Sequence, residues 1–281
     1  MKIAVTGANG FIGRHVLAEL AQKKVPCVAV DLFLPEKKKA AGIDWIQIDL
    51  CESPVDVFNR IGRPDTLIHL AWGGLPNYRS THHLEKELPG QYKFLSGLVH
   101  AGLRRLVVTG TCFEYGMKSG MLTEDLMPCP ENPYARAKNS LRQQLESLKL
   151  VKPFHLVWAR LFYMYGEGQP KTSLFSQLKE AVLRGDAEFN MSGGEQLRDY
   201  LPVTEVAREI VRLAMLGRDV GTVNICSGMP TSVRELVGRW LNKKGWKIKL
   251  NLGYYPYPDY EPMAFWGSRT RLDSIIAEAN R

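Results

Sequence analysis

Cysteine is scarce. The chain has five in 281 residues (Cys27, Cys51, Cys112, Cys129 and Cys226), an odd and scattered set that suggests neither a disulfide framework nor metal-ligand spacing. No metal is expected, and reduced thiols fit a cytoplasmic setting. Long apolar runs are missing too: nothing approaches the ~18 residues of a spanning helix, and no basic-then-apolar leader precedes the first strand. A membrane is therefore not an expected partner. Repeats and low-complexity segments are also lacking.

Concentrated charge is a further absence. The net charge is +8 and the pI about 9.2, yet the basic residues are dispersed except for short clusters, Lys37-Lys38-Lys39 and Lys243-Lys244. Nucleic-acid binding would call for a basic stripe interleaved with stacking aromatics, so nucleic acid is not expected as a partner. A solvated basic surface is the plain reading. The excess would also help to attract diphosphates, without identifying them.

Through the first 160 residues, short apolar runs (2–5, 27–30, 45–48, 66–70, 106–109, 155–159) alternate with helical periodicity (11–22, 54–61, 82–101, 132–150). Strands apolar throughout and separated by helices indicate a parallel sheet covered on both faces, the doubly wound α/β (Rossmann) arrangement. Beyond Gly166 the pattern loosens into helices at 173–184 and 204–216, short strands near 188–191 and 222–225, and a helix capped by Ser232 with Glu235 three residues on. The stretch 254–262, with three prolines and four tyrosines, reads as a stiff loop. The expected division is a dinucleotide-binding domain, 1–166, and a small substrate-binding lobe, 167–281, some of whose elements return to the sheet.

The turn Thr6-Gly7-Ala8-Asn9-Gly10-Phe11-Ile12-Gly13 joins the first strand to the first helix. Gly7 permits the tight turn, Gly10 a close approach to a pyrophosphate, and Gly13 close helix–sheet packing. The helix start then offers N–H groups and a positive dipole end to the phosphates. Gly7, Asn9, Gly10, Phe11, Ile12 and Gly13 are thus the expected cofactor contacts. Asp31 ends the next strand, where a carboxylate accepts from ribose hydroxyls and repels a 2′-phosphate, favouring NAD(H) over NADP(H). Arg14 and the Lys37-Lys38-Lys39 cluster could neutralise such a phosphate, so NADP(H) stays open, as does a plain turn role for Asp31.

Tyr134 and Lys138 lie one helical turn apart, after a start marked by Asn132-Pro133. An ordinary tyrosine titrates near ~10, too high for proton exchange at neutral pH, and a lysine one turn away is expected to favour the phenolate. Tyr-x-x-x-Lys alone is common on surface helices; joined to the glycine turn it gains weight.

At this point the chain resembles the extended short-chain dehydrogenase/reductase family, its NAD-dependent epimerase/dehydratase group. The likeness runs in order through residues 6–13, Asp31, Asp49, 69–71, 109–116, 134–138, 159–168, 198–203 and 224–228. It implies that Thr111 joins Tyr134 and Lys138 as a catalytic residue, and that the Lys138 ammonium holds the nicotinamide ribose. Asp49 and Leu50 would contact the adenine, and Leu70, Ala71 and Trp72 would pass under the cofactor. Arg198 matches an arginine that binds the substrate diphosphate; a buried structural arginine paired to Asp199 is the alternative.

The family catalyses several reactions, and this chain's departures choose among them. Cys112 and Phe113 stand where the 4,6-dehydratases carry an Asp-Glu pair, and Phe113 stands where GDP-fucose-forming epimerase-reductases carry a cysteine. Against the common 4-epimerases, Tyr163 and Glu87 each replace a usual Asn, and a second diphosphate-binding arginine has no counterpart in Pro256-Tyr257-Pro258-Asp259. Segments 69–78 and 109–116 are similar to those of bacterial reductases of nucleotide-diphosphate 4-keto-6-deoxyhexoses. The expected reaction is reduction at C4, dTDP-4-dehydro-6-deoxyglucose giving dTDP-fucose for cell-surface polysaccharide. Trp72, Asn77, Tyr78, Cys112, Phe113, Tyr163 and Arg198 would meet the substrate, with ordinary loop packing the alternative for Trp72, Asn77 and Tyr78. A nucleotide-sugar 4-epimerase and a non-catalytic dinucleotide sensor remain as other readings. Many relatives pair the helices at 82–101 and 132–150 in a four-helix interface, so a homodimer is expected, with a monomer presenting one polar helix face as the alternative. His82 and His83 are expected at the surface.

Overall fold

The computed structural model describes residues 1–35, 42–52 and 56–280. The Lys37-Lys38-Lys39 cluster and the first residues of the helix expected at 54–61 lie outside them. In chain order the first half comprises β1 (Ile3–Thr6), α1 (Phe11–Gln22), β2 (Cys27–Asp31), β3 (Ile43–Gln47), α2 (Val57–Arg60), β4 (Thr66–His69), α3 (Leu88–Ala101), β5 (Arg105–Thr111), β6 (Gly120–Leu122), α4 (Pro133–Val151) and β7 (His155–Leu161). The second half comprises β8 (Tyr163–Tyr165), α5 (Leu174–Arg184), β9 (Glu188–Asn190), β10 (Leu197–Pro202), α6 (Val203–Met215), β11 (Gly221–Ile225), β12 (Pro230–Ser232), α7 (Val233–Lys244), β13 (Lys249–Asn251), β14 (Phe265–Gly267) and α8 (Thr270–Ala279).

Among the described residues, seven strands form the main sheet in the order β11-β7-β5-β4-β1-β2-β3, all parallel. Strand order reverses between β1 and β4, and at such a switch point ligands settle outside the C-terminal strand ends. Period-two alternation distributes the core: Ile3 and Val5 face an apolar cluster with Leu17, Leu20, Val206 and Ile210, whereas Ala4 and Leu67 face another with Leu95, Leu98, Leu141 and Leu145. The sheet is thus sandwiched between helices, the expected doubly wound arrangement.

Local signals place the helix starts. Asn132 Oδ1 accepts from Ala135 N at 2.8 Å with Pro133 in the first turn, and Ser232 Oγ accepts from Glu235 N at 3.1 Å. The second half holds its own apolar cluster, in which Phe175, Leu178, Phe189, Leu236 and Trp240 pack together, while β11 returns to the main sheet beside β7. Residues 254–262 form neither helix nor strand. One expectation is corrected here. The helix read from residue 82 opens as a wider π-helical turn, His83–Glu87, which carries His83 into the interior rather than to the surface.

Candidate active site

The glycine turn has the shape its spacing predicts. Gly7 adopts φ +65°, and a Cβ there would lie 2.8 Å from the Ala71 amide nitrogen; one on Gly13 would lie 2.1 Å from the Gly7 carbonyl oxygen. No side chain caps the start of α1, and no acidic residue occupies its first turn. This leaves a cradle with the positive dipole end facing outward, which fits a dinucleotide pyrophosphate. Asp31 borders it, accepting from Asn9 N at 2.9 Å and Phe33 N at 3.2 Å. Arg14 donates to the carbonyls of Gly10 and Asn9, both at 3.2 Å, so its guanidinium is engaged on the turn's own backbone. Asp49 Oδ1 accepts from Cys51 N at 2.9 Å, and Leu50 beside it is buried.

Beyond β4 the chain passes Leu70 and Ala71, the latter against Gly7, and reaches Trp72. Lys138, on α4, is buried; its ammonium donates to the Thr109 carbonyl at 2.9 Å and lies 4.0 Å from the centre of the Trp72 ring. Burial pulls its pKa down to about 7, against the opposing pull of Glu114 and Glu87. Tyr134 sits one turn earlier, its ring 6.1 Å from Trp72, 5.5 Å from Tyr78 and 5.3 Å from His83. Its backbone N–H donates to the Tyr78 carbonyl at 3.2 Å. Thr111, Tyr134 and Lys138 therefore meet at the sheet edge that carries the glycine turn.

The expected acidification of Tyr134 by Lys138 is not found. Burial raises the phenol's pKa, Tyr78, Glu114 and Cys112 add to the rise, and only the hydrogen bond with Thr111 opposes it. The physical reason is desolvation: both groups are buried, which favours the neutral phenol and pulls the Lys138 pKa down as well. In this state Tyr134 is a protonated donor.

His83 was missed as a site residue. Its Nδ1 accepts from Trp72 Nε1 at 3.1 Å, so its Nε2 carries the hydrogen and donates to the Asn77 carbonyl at 2.8 Å. The imidazole stacks near the indole that meets Lys138 and ties it to the 72–78 loop. His82 points elsewhere, to Glu87 at 3.2 Å, and Glu87 also accepts from Gln91 at 2.9 Å.

Glu114 was missed as well. It is buried in an ion pair with Arg160 at 2.8 Å and accepts from Trp158 Nε1 at 3.0 Å and from Thr111 N at 2.9 Å. This pins Thr111 from below, and its sequence signal was legible: Thr111 and Glu114 form a capping box.

The residues expected at the substrate are partly assembled. The Phe113 ring stands 5.1 Å from Tyr78 and 6.3 Å from Tyr163, while Cys112 packs into an apolar cluster with Tyr115, Leu122, Phe162, Cys226 and Phe265. Burial pushes the Tyr78 phenol up to about 12. Asn77 is exposed. Arg198 is buried, but the alternative pairing with Asp199 is corrected. Arg198 pairs with Glu261 at 3.0 Å, and Asp199 instead accepts backbone N–H groups from Ser227 at 2.6 Å and Gly228 at 2.9 Å. Tyr163 donates to the same Glu261 carboxylate.

Comparison with known proteins agrees with this architecture. Residues 3–226 match the model of the NAD dependent epimerase/dehydratase family. The chain is 32% identical, over 96% of its length and 100% of the other's, to a dTDP-6-deoxy-L-talose 4-dehydrogenase (NAD(+)) of Aggregatibacter actinomycetemcomitans. It is 25% identical to a GDP-6-deoxy-D-mannose reductase of Pseudomonas aeruginosa, over 84% of this chain and 78% of that one. Among solved structures, MoeE5 in complex with UDP-glucuronic acid and NAD superposes with a TM-score of 0.84 at 27% identity, covering 99% of this chain and 93% of that chain.

Proposed function

Because the chain belongs to the NAD-dependent epimerase/dehydratase family, we propose that it is an NAD(H)-dependent oxidoreductase acting at C4 of a nucleotide-diphosphate 6-deoxyhexose. In the reductive direction it would convert dTDP-4-dehydro-6-deoxyglucose to dTDP-fucose. The observation that carries this reading is the meeting of Thr111, Tyr134 and Lys138 beside the Gly7–Ala71 contact. Two relatives named for work on 6-deoxyhexose nucleotides, one at C4 of a dTDP sugar and one a reductase, support the substrate class.

Bound NAD(H) would exchange the hydride with the sugar carbon. Tyr134, kept protonated by burial, gives its proton to the oxygen forming at C4, and the Thr111 hydroxyl holds the same oxygen. Gly7, Asn9, Gly10, Phe11, Ile12 and Gly13 would cradle the pyrophosphate, with Asp31 at the adenosine ribose, Asp49 and Leu50 near the adenine, and Leu70, Ala71 and Trp72 beneath. Lys138 would turn from the Thr109 carbonyl to the nicotinamide ribose. Asp31 disfavours a 2′-phosphate, and Arg14 is engaged on the turn, which supports NADH over NADPH. Residues 167–281 serve as the lobe over the sugar nucleotide, with Arg198 toward its diphosphate and Tyr78, Phe113 and Tyr163 toward the hexose.

The test is direct: incubate the protein with dTDP-4-dehydro-6-deoxyglucose and NADH or NADPH, follow the absorbance, and identify the product by NMR. Tyr134→Phe should lower turnover by about 10²–10⁴-fold while leaving NADH affinity nearly unchanged. Interconversion of UDP-galactose and UDP-glucose without added cofactor would establish an epimerase instead.

A further inference from the structure

Two residues assigned above to the substrate, Arg198 and Tyr163, are both held by one carboxylate of this chain. Arg198 Nη2 meets Glu261 Oε1 at 3.0 Å, with the two side chains 3% and 10% exposed, and the Tyr163 hydroxyl donates to Glu261 Oε2. Nη1 is fixed on the opposite side: it donates to the carbonyls of Leu197 at 2.8 Å and Met263 at 3.1 Å, and the group lies 4.6 Å from the Phe265 ring centre. One edge of Arg198 thus faces an anion, and that anion rides on a loop.

Backbone hydrogen bonds tie this loop at its two ends. Its near end is tied by Tyr254 N to the Met191 carbonyl at 3.0 Å and its far end by Leu197 N to the Met263 carbonyl at 2.8 Å. Between these anchors, apart from a long contact from Tyr255 N to the same Met191 carbonyl at 3.5 Å, it is held by side chains: Tyr257 on Glu195, Asp259 on Arg79 at 3.0 Å with the Arg79 guanidinium 5.9 Å from the Tyr260 ring centre, and Glu261 itself. The Arg79–Asp259 pair is 70% and 84% exposed, so it is weak and screened by salt.

Resting on the sugar-nucleotide reading, we propose that Glu261 is an internal counter-ion that occupies the diphosphate seat on Arg198 until a nucleoside diphosphate displaces it, and so selects for diphosphate ligands. A planar guanidinium takes phosphate oxygens bidentately as readily as a carboxylate. The Tyr163 hydroxyl, now spent on Glu261, is freed to donate to the incoming ligand. A ligand with one weakly placed negative charge gains little over the resident carboxylate, whereas a diphosphate brings two phosphate groups against one carboxylate.

The test uses the full chain and dTDP as the probe. Calorimetric titration should show Glu261→Gln binding dTDP about ten-fold more tightly than wild type, and the preference for dTDP over dTMP should shrink. Equal or weaker dTDP binding by the variant would overturn the role of Glu261. A second readout needs no variant. Chymotrypsin can cut after Tyr260, the bond next to Glu261, and saturating dTDP should speed that cut several-fold in wild type. An unchanged or slower cut would overturn the proposal. Wild type that binds dTDP well, with neither change, leaves the sugar-nucleotide reading standing without it. Wild type that binds NADH but neither dTDP nor UDP overturns both.

Discussion

Two buried arginines, one in the sheet and one in the lobe, are almost the same object chemically and differ in what surrounds their partners. Arg160 on β7 and Arg198 on β10 each lie 4.6 Å from an aromatic ring centre, Tyr115 and Phe265 respectively, and each pairs with a glutamate. Glu114, the partner of Arg160, sits in the short turn that continues β5, and its oxygens also accept from Trp158 and from the Thr111 backbone. Glu261, the partner of Arg198, hangs on a loop and accepts from the Tyr163 hydroxyl. A buried ion pair becomes part of the frame when fixed donors of the sheet take its remaining lone pairs. On a loop, the same pair can exchange partners.

The largest expected effect lies in the frame. Glu114→Gln leaves Arg160 charged and buried beside an amide, a change that costs about 3–5 kcal/mol in proteins. Urea unfolding should show that loss, and turnover should fall with it because Thr111 loses its anchor. A loss below about 1 kcal/mol would mean that the sheet pair is as dispensable as a surface pair.

Lys138 is a third buried cation, and its contacts are a carbonyl and a ring rather than an ion-pair partner. Its pKa is lowered to about 7 by burial, from 10.5. Between those values the unfolded chain holds a proton that the folded chain has released, so this group makes stability rise with pH across that window. Below about 7 both states are protonated and the full penalty is present. Lys138→Met should therefore be more stable than wild type near pH 6, by on the order of a few kcal/mol, and flatten the rise between pH 7 and 10. Denaturation at pH 6 and pH 9 checks it; a Lys138→Met protein less stable than wild type at pH 6 would show that the ammonium stabilises the fold.

These three cations also mark how far the sequence could be read. Continuous short apolar runs separated by helical periodicity, the glycine turn and the Tyr134–Lys138 spacing are local patterns, and they placed the parallel sheet and the edge where Thr111, Tyr134 and Lys138 meet. Arg160 finds Glu114 from 46 positions away and Arg198 finds Glu261 across the lobe, so neither pairing leaves a local trace. The direction of Lys138 was likewise hidden, since helical spacing puts it on the face of Tyr134 but not toward the Thr109 carbonyl. His83 went inward because a π-helical turn, which no periodicity announces, rotates the start of the helix.

A smaller effect is expected at the lobe pair. In Glu261→Gln the loop can shift and admit water to Arg198, so the stability loss should stay near ~1–2 kcal/mol, well below that of Glu114→Gln measured in the same way. Equal losses would place Glu261 in the frame and leave it unfit as a displaceable anion.

The smallest effect belongs to the mouth of the same loop. Asp259→Asn removes an ion pair that is mostly in water, and such pairs contribute about 0–1 kcal/mol. Its unfolding midpoint should match wild type within error, and raising the salt concentration should erase whatever difference remains. If Asp259→Asn instead weakened the protein as much as Glu261→Gln, the loop would be held at its exposed rim, and the buried carboxylate could leave Arg198 without the rest of the loop moving.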